Sequence, residues 1–476
     1  MPAVRYAIAA GALLAVGAGA ASAASWSTPQ FPRANGVALP ALVAVGRPMA
    51  LAQSPNGSAT LLYRGANNGI YAISRPRVNA RWGSAATWLP ARRARAGGAL
   101  EAGMAGSRVW AMWTQSGNRR LATTTGTRSV GGRTPLRATN LPSRGVPPAF
   151  DLVNRSYGMT MAQTGAAYGG PVPVGRVPRF APQQVAASTT GSSYAINAAG
   201  QQVALLFDGT NLSWSSRSAG VGWSAASAAG ISPQIAIGYS PLGATPPSDV
   251  AIDAAGNAAI TWVAFTDAQG TPIAPGGSPA GAAVMLSTRP AGSASFGTPS
   301  VVARLPAPPS VSAFLGGVAP QVTNLQVAMG GNATAVSWMT MGDGPPLLWA
   351  TIGATGGVLP APTQLPDPEG LQQAAYDGNS YVMSVNTRGM AAVAFGWAMS
   401  MGEVDGLFAT TSAGPGQPWA PLREVSGCAN RPQGGGGGYG DIQLMPFTSG
   451  FTLAFNCTTS NSSTTRANSI GITTYR

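Results

Sequence analysis

The residues that could perform acid–base chemistry in this chain are few. The sequence has 14 Asp and Glu residues and no His, which excludes His-based triads, His zinc ligands and imidazole catalysis. Glycoside hydrolysis needs two carboxylates that face a sugar at a separation of roughly 5 to 10 Å. Two acidic pairs lie close together in the chain, Asp367 with Glu369 and Glu403 with Asp405. The alternative is that these acids lie on solvated loops.

Two Asp-Gly stretches contain the oxygen ligands that calcium prefers, DGTN at Asp208 and DGNS at Asp377. They lack the D-x-D-x-D-G spacing of a dedicated calcium loop, and they equally fit ordinary Asx turns. Calcium is therefore the only cofactor that the sequence suggests, and no other is expected.

Arginine carries the entire positive charge, because the chain contains no Lys and has a net charge of +14. Up to residue 180 there are 20 Arg and two acids, and beyond it there are 8 Arg and 12 acids. A basic half is typical of proteins that bind an anionic polymer through salt-sensitive contacts. The alternative is a solvated surface encoded by a GC-rich genome. Aromatic residues do not alternate regularly with the arginines, so no specific nucleic-acid partner is expected.

The first 23 residues have the pattern of a secretory signal peptide. Arg5 precedes 14 small or apolar residues, and Ala21-Ser22-Ala23 supplies a cleavage site. A membrane anchor is the alternative, but the apolar run is shorter than the roughly 20 residues that a spanning helix needs. We expect residues 1–23 to be the signal peptide and residues 24–476 to be a secreted or cell-envelope-associated domain without a transmembrane segment.

The elements that must position these residues are short strands. Gly and Pro number 64 and 40 among 476 residues, roughly twice their usual share, which argues against long helices. Seven strand-like runs end in an aromatic residue, and an eighth, YGMTMA, ends in Ala162. The seven aromatic residues are Tyr63, Trp113, Phe207, Trp262, Trp338, Phe395 and Phe455. Successive runs end 45 to 76 residues apart, the spacing of four-stranded propeller blades.

Each run has the same kind of neighbours. A strand and a tight turn precede it, as in VAIDAAGN and LAQSPNGS, where Gly or Asn supplies the positive φ of a hairpin turn. A loop, a third strand and a fourth strand that begins with an aromatic residue follow it, as in WGSAATWL. The third strand and its turn read S-x-R-x-x-G-x-x-W at Ser215, Arg217, Gly220 and Trp223.

This pattern resembles that of secreted bacterial β-propeller repeat proteins, whose units read VAxDxxGNAxxxW and then RPxGGxWxxPxxL, and the resemblance covers nearly the whole of residues 25 to 476. Sialidase-type propellers carry an S-x-D-x-G-x-T-W Asp box at the same place. Arg217 and Arg289 stand here near the Asp position. The resemblance implies sialidase-like blades with degenerate Asp boxes, in a family without an assigned activity.

The sequence therefore predicts an all-β fold, a single β-propeller of four-stranded blades. Eight blades are expected, or seven if the third unit, around residues 149 to 188, is irregular. The last unit ends one strand short, and SWSTPQFP from Ser25 has no unit before it. We expect residues 25 to 32 to pair with the blade formed by residues 440 to 476, which closes the ring and hides both sheet edges. A two-domain sandwich is the alternative.

The two faces of such a propeller differ in charge. Strands alternate in direction, so the turns that join first to second and third to fourth strands share a face. The candidate polyanion-binding residues lie in or beside these turns: Arg75, Arg77, Arg81, Arg128 and Arg133. The candidate ligand-binding residues lie in loops of the opposite face, between second and third strands: Asp208, Asp267, Asp343, Glu403 and Asp405. Long loops on a rigid scaffold are the usual carriers of recognition.

These features favour an exported, non-enzymatic propeller that binds a carbohydrate or a protein at the cell envelope. The alternatives are a sialidase-like glycosidase or lyase, which would use carboxylates and Arg on the loop face, and a purely structural surface protein. An enzyme needs two or three ionisable groups that converge in one pocket, whereas a binding protein can use scattered aromatic and amide contacts. The sequence therefore assigns no catalytic residue.

We expect Cys428 and Cys457 to form a disulfide in the exported protein. The bridge would tie the segment before the last unit to the second strand of that unit, and it would stabilise the fold by about 3.5 kcal/mol in the chain-entropy model. Two buried free thiols are the alternative. Alkylation of the unreduced protein in denaturant, followed by mass spectrometry, should label neither cysteine, and labelling of both would exclude the bridge.

Overall fold

Short apolar strands joined by glycine-containing turns fold this chain into antiparallel sheets. The structure is a computed structural model that describes residues 24–30, 33–34, 37–38, 42–43, 49–65, 67–94, 97–105, 108–115, 118–125, 136–137, 150–151, 156–161, 167–171, 183–186, 191–197, 199–208, 212–218, 221–227, 247–269, 271, 273, 280–305, 321–341, 347–365, 381–399, 403–426, 437–461 and 464–476. The helix found there is α1 (Ala91–Ala94), and in this part of the chain no helix is long and apolar enough to cross a membrane.

In most sheets, strands that are neighbours in the chain are also neighbours in the sheet. Three two-residue strands come first: β1 (Arg33–Ala34), β2 (Val37–Ala38) and β3 (Leu42–Val43). The first sheet contains β4 (Met49–Gln53), β5 (Ala59–Arg64), β6 (Ile70–Arg75) and β7 (Ala86–Leu89). The second contains β8 (Gly97–Ala105), β9 (Arg108–Gln115), β10 (Asn118–Thr125) and β11 (Leu136–Arg137). The third contains β12 (Phe150–Asp151), β13 (Ser156–Met161), β14 (Ala167–Pro171) and β15 (Gln183–Ala186).

The remaining sheets continue this pattern. The fourth contains β16 (Gly191–Ile196), β17 (Gln202–Phe207) and β18 (Leu212–Arg217). The fifth contains β19 (Ser248–Ile252), β20 (Ala258–Thr266), β21 (Gly281–Arg289) and β22 (Ser300–Leu305). The sixth contains β23 (Gln321–Gly330), β24 (Ala333–Met341), β25 (Leu347–Ala354) and β26 (Thr363–Gln364). The seventh contains β27 (Tyr381–Val385), β28 (Ala391–Met399), β29 (Glu403–Ser412) and β30 (Arg423–Ser426). The eighth contains β31 (Gly437–Phe447), β32 (Gly450–Asn461) and β33 (Thr464–Tyr475), with β3 beside β33.

The apolar runs recognised in the sequence are the second strands of these sheets. The seven runs with a terminal aromatic residue coincide with β5, β9, β17, β20, β24, β28 and β32, and YGMTMA coincides with β13. All seven aromatic residues are at most 2% exposed: Tyr63, Trp113, Phe207, Trp262, Trp338, Phe395 and Phe455. Each buries about 150 to 250 Å² of mostly apolar surface. The repeat in the sequence therefore correctly predicts where the core lies.

The turns between first and second strands of the fourth, fifth and seventh sheets are built alike. Their opening side chain accepts hydrogen bonds from backbone N–H groups of the same turn, as seen at Asn197, Asp253 and Asn386. Three residues further on, a glycine takes a φ of 79 to 95°, as seen at Gly200, Gly256 and Gly389. Most other residues are strained in this conformation. The glycine turns expected from the sequence are confirmed.

The third strand of four consecutive sheets is tied to the turn that follows it. A Ser or Thr hydroxyl donates to a backbone carbonyl of that turn at 2.6 to 2.8 Å, from Ser215 to Ser224, Ser287 to Gly297, Thr351 to Pro360 and Thr410 to Ala420. Arg217 donates from Nε to the carbonyl of Val221 at 2.7 Å. Arg289 lies over the rings of Trp214 and Phe296. The residues that resemble an Asp box therefore hold the turn in place.

Neighbouring sheets are joined through their first strands. Gln326 of β23 accepts from an N–H of β27 at 2.9 Å and donates to a C=O of the same strand at 3.1 Å. Gln443 of β31 does the same to β4, where it accepts from the N–H of Leu51 and donates to the C=O of Met49, both at 2.7 Å. A primary amide can bond one donor and one acceptor at once. Each Gln therefore satisfies two backbone groups of the adjacent sheet.

Asp249 of β19 joins three sheets. Its Oδ1 accepts from the hydroxyl of Ser193 on β16 at 2.6 Å, and its Oδ2 accepts from the N–H of Val327 on β23 at 3.0 Å. Burial raises the pKa of Asp249, while these hydrogen bonds act in the opposite direction because they favour the carboxylate.

The first sheet also contacts the eighth. First strands touch from sheet to sheet in several pairs, which are β4 with β8, β8 with β12, β16 with β19, β19 with β23, β23 with β27 and β27 with β31, and β31 in turn contacts β4. Arg75 of β6 also joins the first sheet to the eighth, since it donates to the hydroxyls of Thr474 on β33 and Thr452 on β32. Its guanidinium also lies 5.1 Å from the ring centre of Trp82.

The N-terminal segment pairs with the last strand, as the missing strand predicts. Gln30 and Ile472 exchange two backbone hydrogen bonds at 2.8 and 2.9 Å, and the N–H of Ser27 donates to Thr474 at 2.9 Å. Trp26 lies opposite Tyr475, and the register shifts by one residue between this pair and the pair of Gln30 and Ile472. The expected pairing is observed for residues 25 to 30, while residues 31 and 32 lie outside the described residues.

Replacement of Gln443 by Leu is expected to destabilise the fold, because it removes the hydrogen bonds that this side chain makes to the buried N–H of Leu51 and C=O of Met49. An unsatisfied buried group costs roughly 1 to 3 kcal/mol, so the free energy of unfolding in urea should fall by about 2 to 5 kcal/mol. Gln364→Leu, at an exposed position of β26, is the matched control and should change it by less than about 0.5 kcal/mol. Equal stability of Gln443→Leu and the wild type would contradict this role.

Asp249→Asn is expected to change how stability depends on pH. Since the folded state raises the pKa of Asp249, its contribution is fully present below the unfolded pKa and is lost as the pH rises through the folded pKa. Asn cannot ionise, so the variant should lack this loss, which amounts to about 1.4 kcal/mol for every tenfold difference in proton affinity between the folded and unfolded states. Urea denaturation across this pH range measures the difference, with Asp267→Asn as the control. Parallel pH profiles for Asp249→Asn and the wild type would refute the assignment.

Candidate functional site

A groove of about 300 Å³ lies between the paired chain ends and the seventh sheet. One side consists of Ala24, Ser25, Trp26 and Tyr475. The other side comes from β29, β30 and their connection, and consists of Ala409, Thr410, Thr411, Ala420, Pro421, Arg423 and Glu424. We call this feature the terminal groove. It exists because the N-terminal segment pairs with β33 beside the seventh sheet.

Two aromatic rings form the chain-end side of the terminal groove. The ring centres of Trp26 and Tyr475 lie 5.4 Å apart with an angle of 57° between the planes. Tyr475 also lies 6.4 Å from the fully buried ring of Phe451. Both Trp26 and Tyr475 are half-buried, so each packs against the core on one side and presents part of its ring to the groove.

Hydrogen bonds hold the opposite side in shape. The hydroxyl of Thr410 donates to the carbonyl of Ala420 at 2.6 Å, and the N–H of Ala420 donates to the carbonyl of Thr411 at 2.8 Å. Arg423 and Glu424 follow at the start of β30, where they pair with Ala409 and Phe408 of β29. Both charged residues are exposed. Both residues belong to the lining of the groove, which therefore contains a cation and an anion.

This combination of groups suits a polyhydroxylated ligand. A sugar ring has apolar C–H groups on its faces and hydroxyl groups around its edge. Aromatic rings offer apolar surface with little loss of conformational entropy. An Arg donates and a Glu accepts charge-assisted hydrogen bonds, which are stronger than neutral ones. The terminal groove contains all three kinds of group.

Among the described residues, none of the acids predicted from the sequence to bind a ligand lines the terminal groove. Asp208 is exposed just after β17. Asp267 follows β20, and its Oδ1 accepts from the N–H groups of Gln269 and Thr271 at 2.9 and 2.8 Å, so this carboxylate stabilises its own turn. Asp343 lies outside the described residues. Calcium binding stays a prediction.

Glu403 and Asp405 lie in a strand and not in a loop. Glu403 begins β29 and pairs with Met399 of β28, and Asp405 lies at the register shift that follows. The hairpin is longer than expected because the pairing of β28 and β29 continues beyond the aromatic residue that marks the repeat.

The arginines expected to bind polyanions fall into three groups. Arg75 is 2% exposed, and its guanidinium donates to the hydroxyls of Thr474 and Thr452 and to the carbonyl of Gly57. It therefore joins two sheets, and the expectation that it lies on the surface is wrong. Burial lowers the pKa of Arg75, and the nearby Arg476 adds to this effect. Arg77 and Arg81 are exposed in the connection from β6 to β7, as expected. Arg128 and Arg133, together with Cys428, lie outside the described residues, and the disulfide to Cys457 stays a prediction.

The sequence predicts the pairing of the chain ends but not the groove that they create. The sequence features that form the groove are Trp26 and Tyr475, which lie in the two segments expected to pair, and the charged residues Arg423 and Glu424 at the start of β30. Only the pairing of the two ends brings these segments together.

No protein-family model and no curated protein sequence matches the chain, so the resemblance to secreted bacterial propeller repeat proteins stays a prediction. Three solved structures are similar at low identity. AofleA from Arthrobotrys oligospora is 10% identical, with 84% of this chain and 95% of that chain covered at a TM-score of 0.36. The polysaccharide lyase Uly1 is 9% identical, with 94% and 92% covered at a TM-score of 0.43. The Aleuria aurantia lectin AAL is 8% identical, with 80% and 97% covered at a TM-score of 0.34. Similarity at this level assigns no function.

Proposed function

We propose that this protein is an exported, non-enzymatic β-propeller that binds a carbohydrate at the cell envelope, and that the terminal groove is its binding site. The observation that carries the proposal is the placing of two half-buried aromatic rings opposite an exposed Arg and an exposed Glu in one groove of about 300 Å³. That volume lies at the lower end of the range for small-ligand pockets, and it suits a short segment of a glycan.

The scaffold in this proposal is a ring of eight blades. Its support is the series of meander sheets in the described residues, one for each repeat in the sequence, together with the contact of β31 with β4. In such a ring the segment from Ser25 to Gln30 pairs with the C-terminal end of β33, on the outer side of the last blade. The chain ends then close the blade and shape the terminal groove in the same step.

Each part of the groove has a distinct role in the proposal. The rings of Trp26 and Tyr475 pack against the C–H face of one sugar unit. Arg423 donates to a hydroxyl or ring oxygen, and Glu424 accepts from a neighbouring hydroxyl. The backbone beneath them is held by the bonds between Thr410 and Ala420, so the site is preorganised and little entropy is lost on binding.

Export follows from the signal-peptide pattern in residues 1–23, since an exported binding protein meets glycans on cell surfaces and in the surrounding medium. The exposed Arg77 and Arg81 lie in a β6–β7 connection that is separate from the groove. We propose that they add salt-sensitive attraction to an anionic cell-wall polymer.

Arg423→Ala should weaken carbohydrate binding about tenfold or more, since a hydrogen bond to a charged group contributes roughly 1.5 to 3 kcal/mol. Residues 24–476 are first applied to a glycan array, and the affinity for the glycans retained is then measured by calorimetry for the wild type, Arg423→Ala and Glu424→Gln. Both positions are exposed, so stability should change little.

Arg388→Ala removes an exposed arginine from the turn between β27 and β28 and is the matched control, which should bind as the wild type does. Wild-type affinity in both groove variants would place the carbohydrate site elsewhere. Binding to no glycan on the array would contradict the carbohydrate assignment itself.

A further inference from the structure

A second cavity, of about 500 Å³, lies where the turns between first and second strands meet. Described residues of seven sheets line it, and the terminal groove shares none of them. We call it the axial cavity. It lies on the face of the glycine turns, whereas Asp208 and Asp267 follow the opposite ends of their second strands.

The wall of the axial cavity is apolar because of one repeated position. A large apolar side chain lines the cavity at or near the end of six of the seven contributing first strands: Met104, Ile196, Ile252, Met329, Val385 and Met445. The first sheet contributes Gln53 and Pro55 instead. Most of the six apolar side chains are half-buried, so they present apolar surface to the cavity. Three of the six are methionines, whose flexible thioether side chains adapt to ligands of irregular shape.

Two exposed polar side chains lie on one side of the cavity. Asn332 and Thr387, from the turns of the sixth and seventh sheets, are exposed there. Asp253 also belongs to the lining, but its two carboxylate oxygens accept from the N–H and the side-chain amide of Asn257 at 2.9 and 2.7 Å. Asn197 is likewise occupied, since it donates to the carbonyl of Asp253 and accepts within its own turn.

The rim of the cavity is held in shape by bonds between the turns of adjacent sheets. Thr448 of the eighth sheet donates from N–H and hydroxyl to the carbonyl of Pro55 in the first sheet at 3.0 and 2.8 Å. A Cβ on Gly331 of the sixth sheet would lie 2.3 Å from the backbone of Gly389 in the seventh, so these two turns are in direct contact. A ligand would therefore meet a preformed site.

We propose that the axial cavity binds a small, neutral, amphipathic molecule, with its apolar body against the methionine and isoleucine wall and its hydroxyl or carbonyl group at Asn332 and Thr387. The volume fits a small molecule. A protein partner would instead need about 800 Å² of surface on this side. This site is independent of carbohydrate binding in the terminal groove.

The test uses N-phenyl-1-naphthylamine, a neutral probe whose fluorescence rises in apolar surroundings, with 1-octanol as the competitor. We expect saturable binding to residues 24–476 and displacement by 1-octanol. Ile252→Trp fills the cavity and should weaken probe binding at least tenfold. Val358→Trp, at a position that is 83% exposed and outside the cavity, is the matched control and should bind as the wild type does.

A second variant keeps the proposal testable if Ile252→Trp does not fold. Asn332 has a φ of 62°, which Gly adopts without strain, so Asn332→Gly removes the polar group and preserves the turn. This variant should bind 1-octanol about twofold to tenfold more weakly than the wild type, and its affinity for the probe should be unchanged. Equal probe binding by Ile252→Trp and Val358→Trp, or equal octanol affinity in Asn332→Gly and the wild type, would overturn the proposal. Displacement by a soluble apolar peptide and not by 1-octanol would also overturn it.

Discussion

The sideways contact between the first strands of successive sheets is the interaction on which the rest of this structure depends. A meander sheet satisfies its own backbone groups within the sheet, but its first strand has unpaired N–H and C=O groups on the side away from the second strand. Gln326 and Gln443 satisfy such groups on the neighbouring sheet, and Asp249 accepts from the sheets on both sides of it. These side chains join adjacent sheets, and the axial cavity and the terminal groove both lie between sheets that meet in this way.

The chain ends show how one constraint serves stability and recognition together. Residues 25 to 30 cover the edge of the last sheet, and the same pairing brings Trp26 onto Tyr475 and both rings beside β30. Arg75 adds a bridge from the first sheet to the hydroxyls of the eighth. A change that loosens the ends would therefore alter the terminal groove as well as the fold.

Polar residues in the repeats mainly serve their own turns. Asp253, Asn197 and Asn386 bond the backbone of the turn that they open, and Ser215 with its equivalents bonds the turn after the third strand. The side-chain oxygens of these residues, which could otherwise bind a ligand, are thus already engaged in hydrogen bonds once the turn is formed. This is why residue chemistry at a repeated position is a weak guide to function. Positions of the repeat at which the residue type varies from unit to unit, such as Arg423 and Glu424, are better candidates.

The sequence by itself determined the strands, the glycine turns, the buried aromatic residues and the pairing of the two ends, because each depends on local periodicity, on the φ of single residues or on a strand left over at each terminus. It did not determine that Arg75 is buried, that Asp249 joins three sheets or that Glu403 lies within a strand. Those properties depend on partners that are distant in the chain, and the sequence around a residue does not contain them. Only the tertiary structure decided the two cavities, because each is a space between sheets, lined by side chains whose proximity no local pattern encodes.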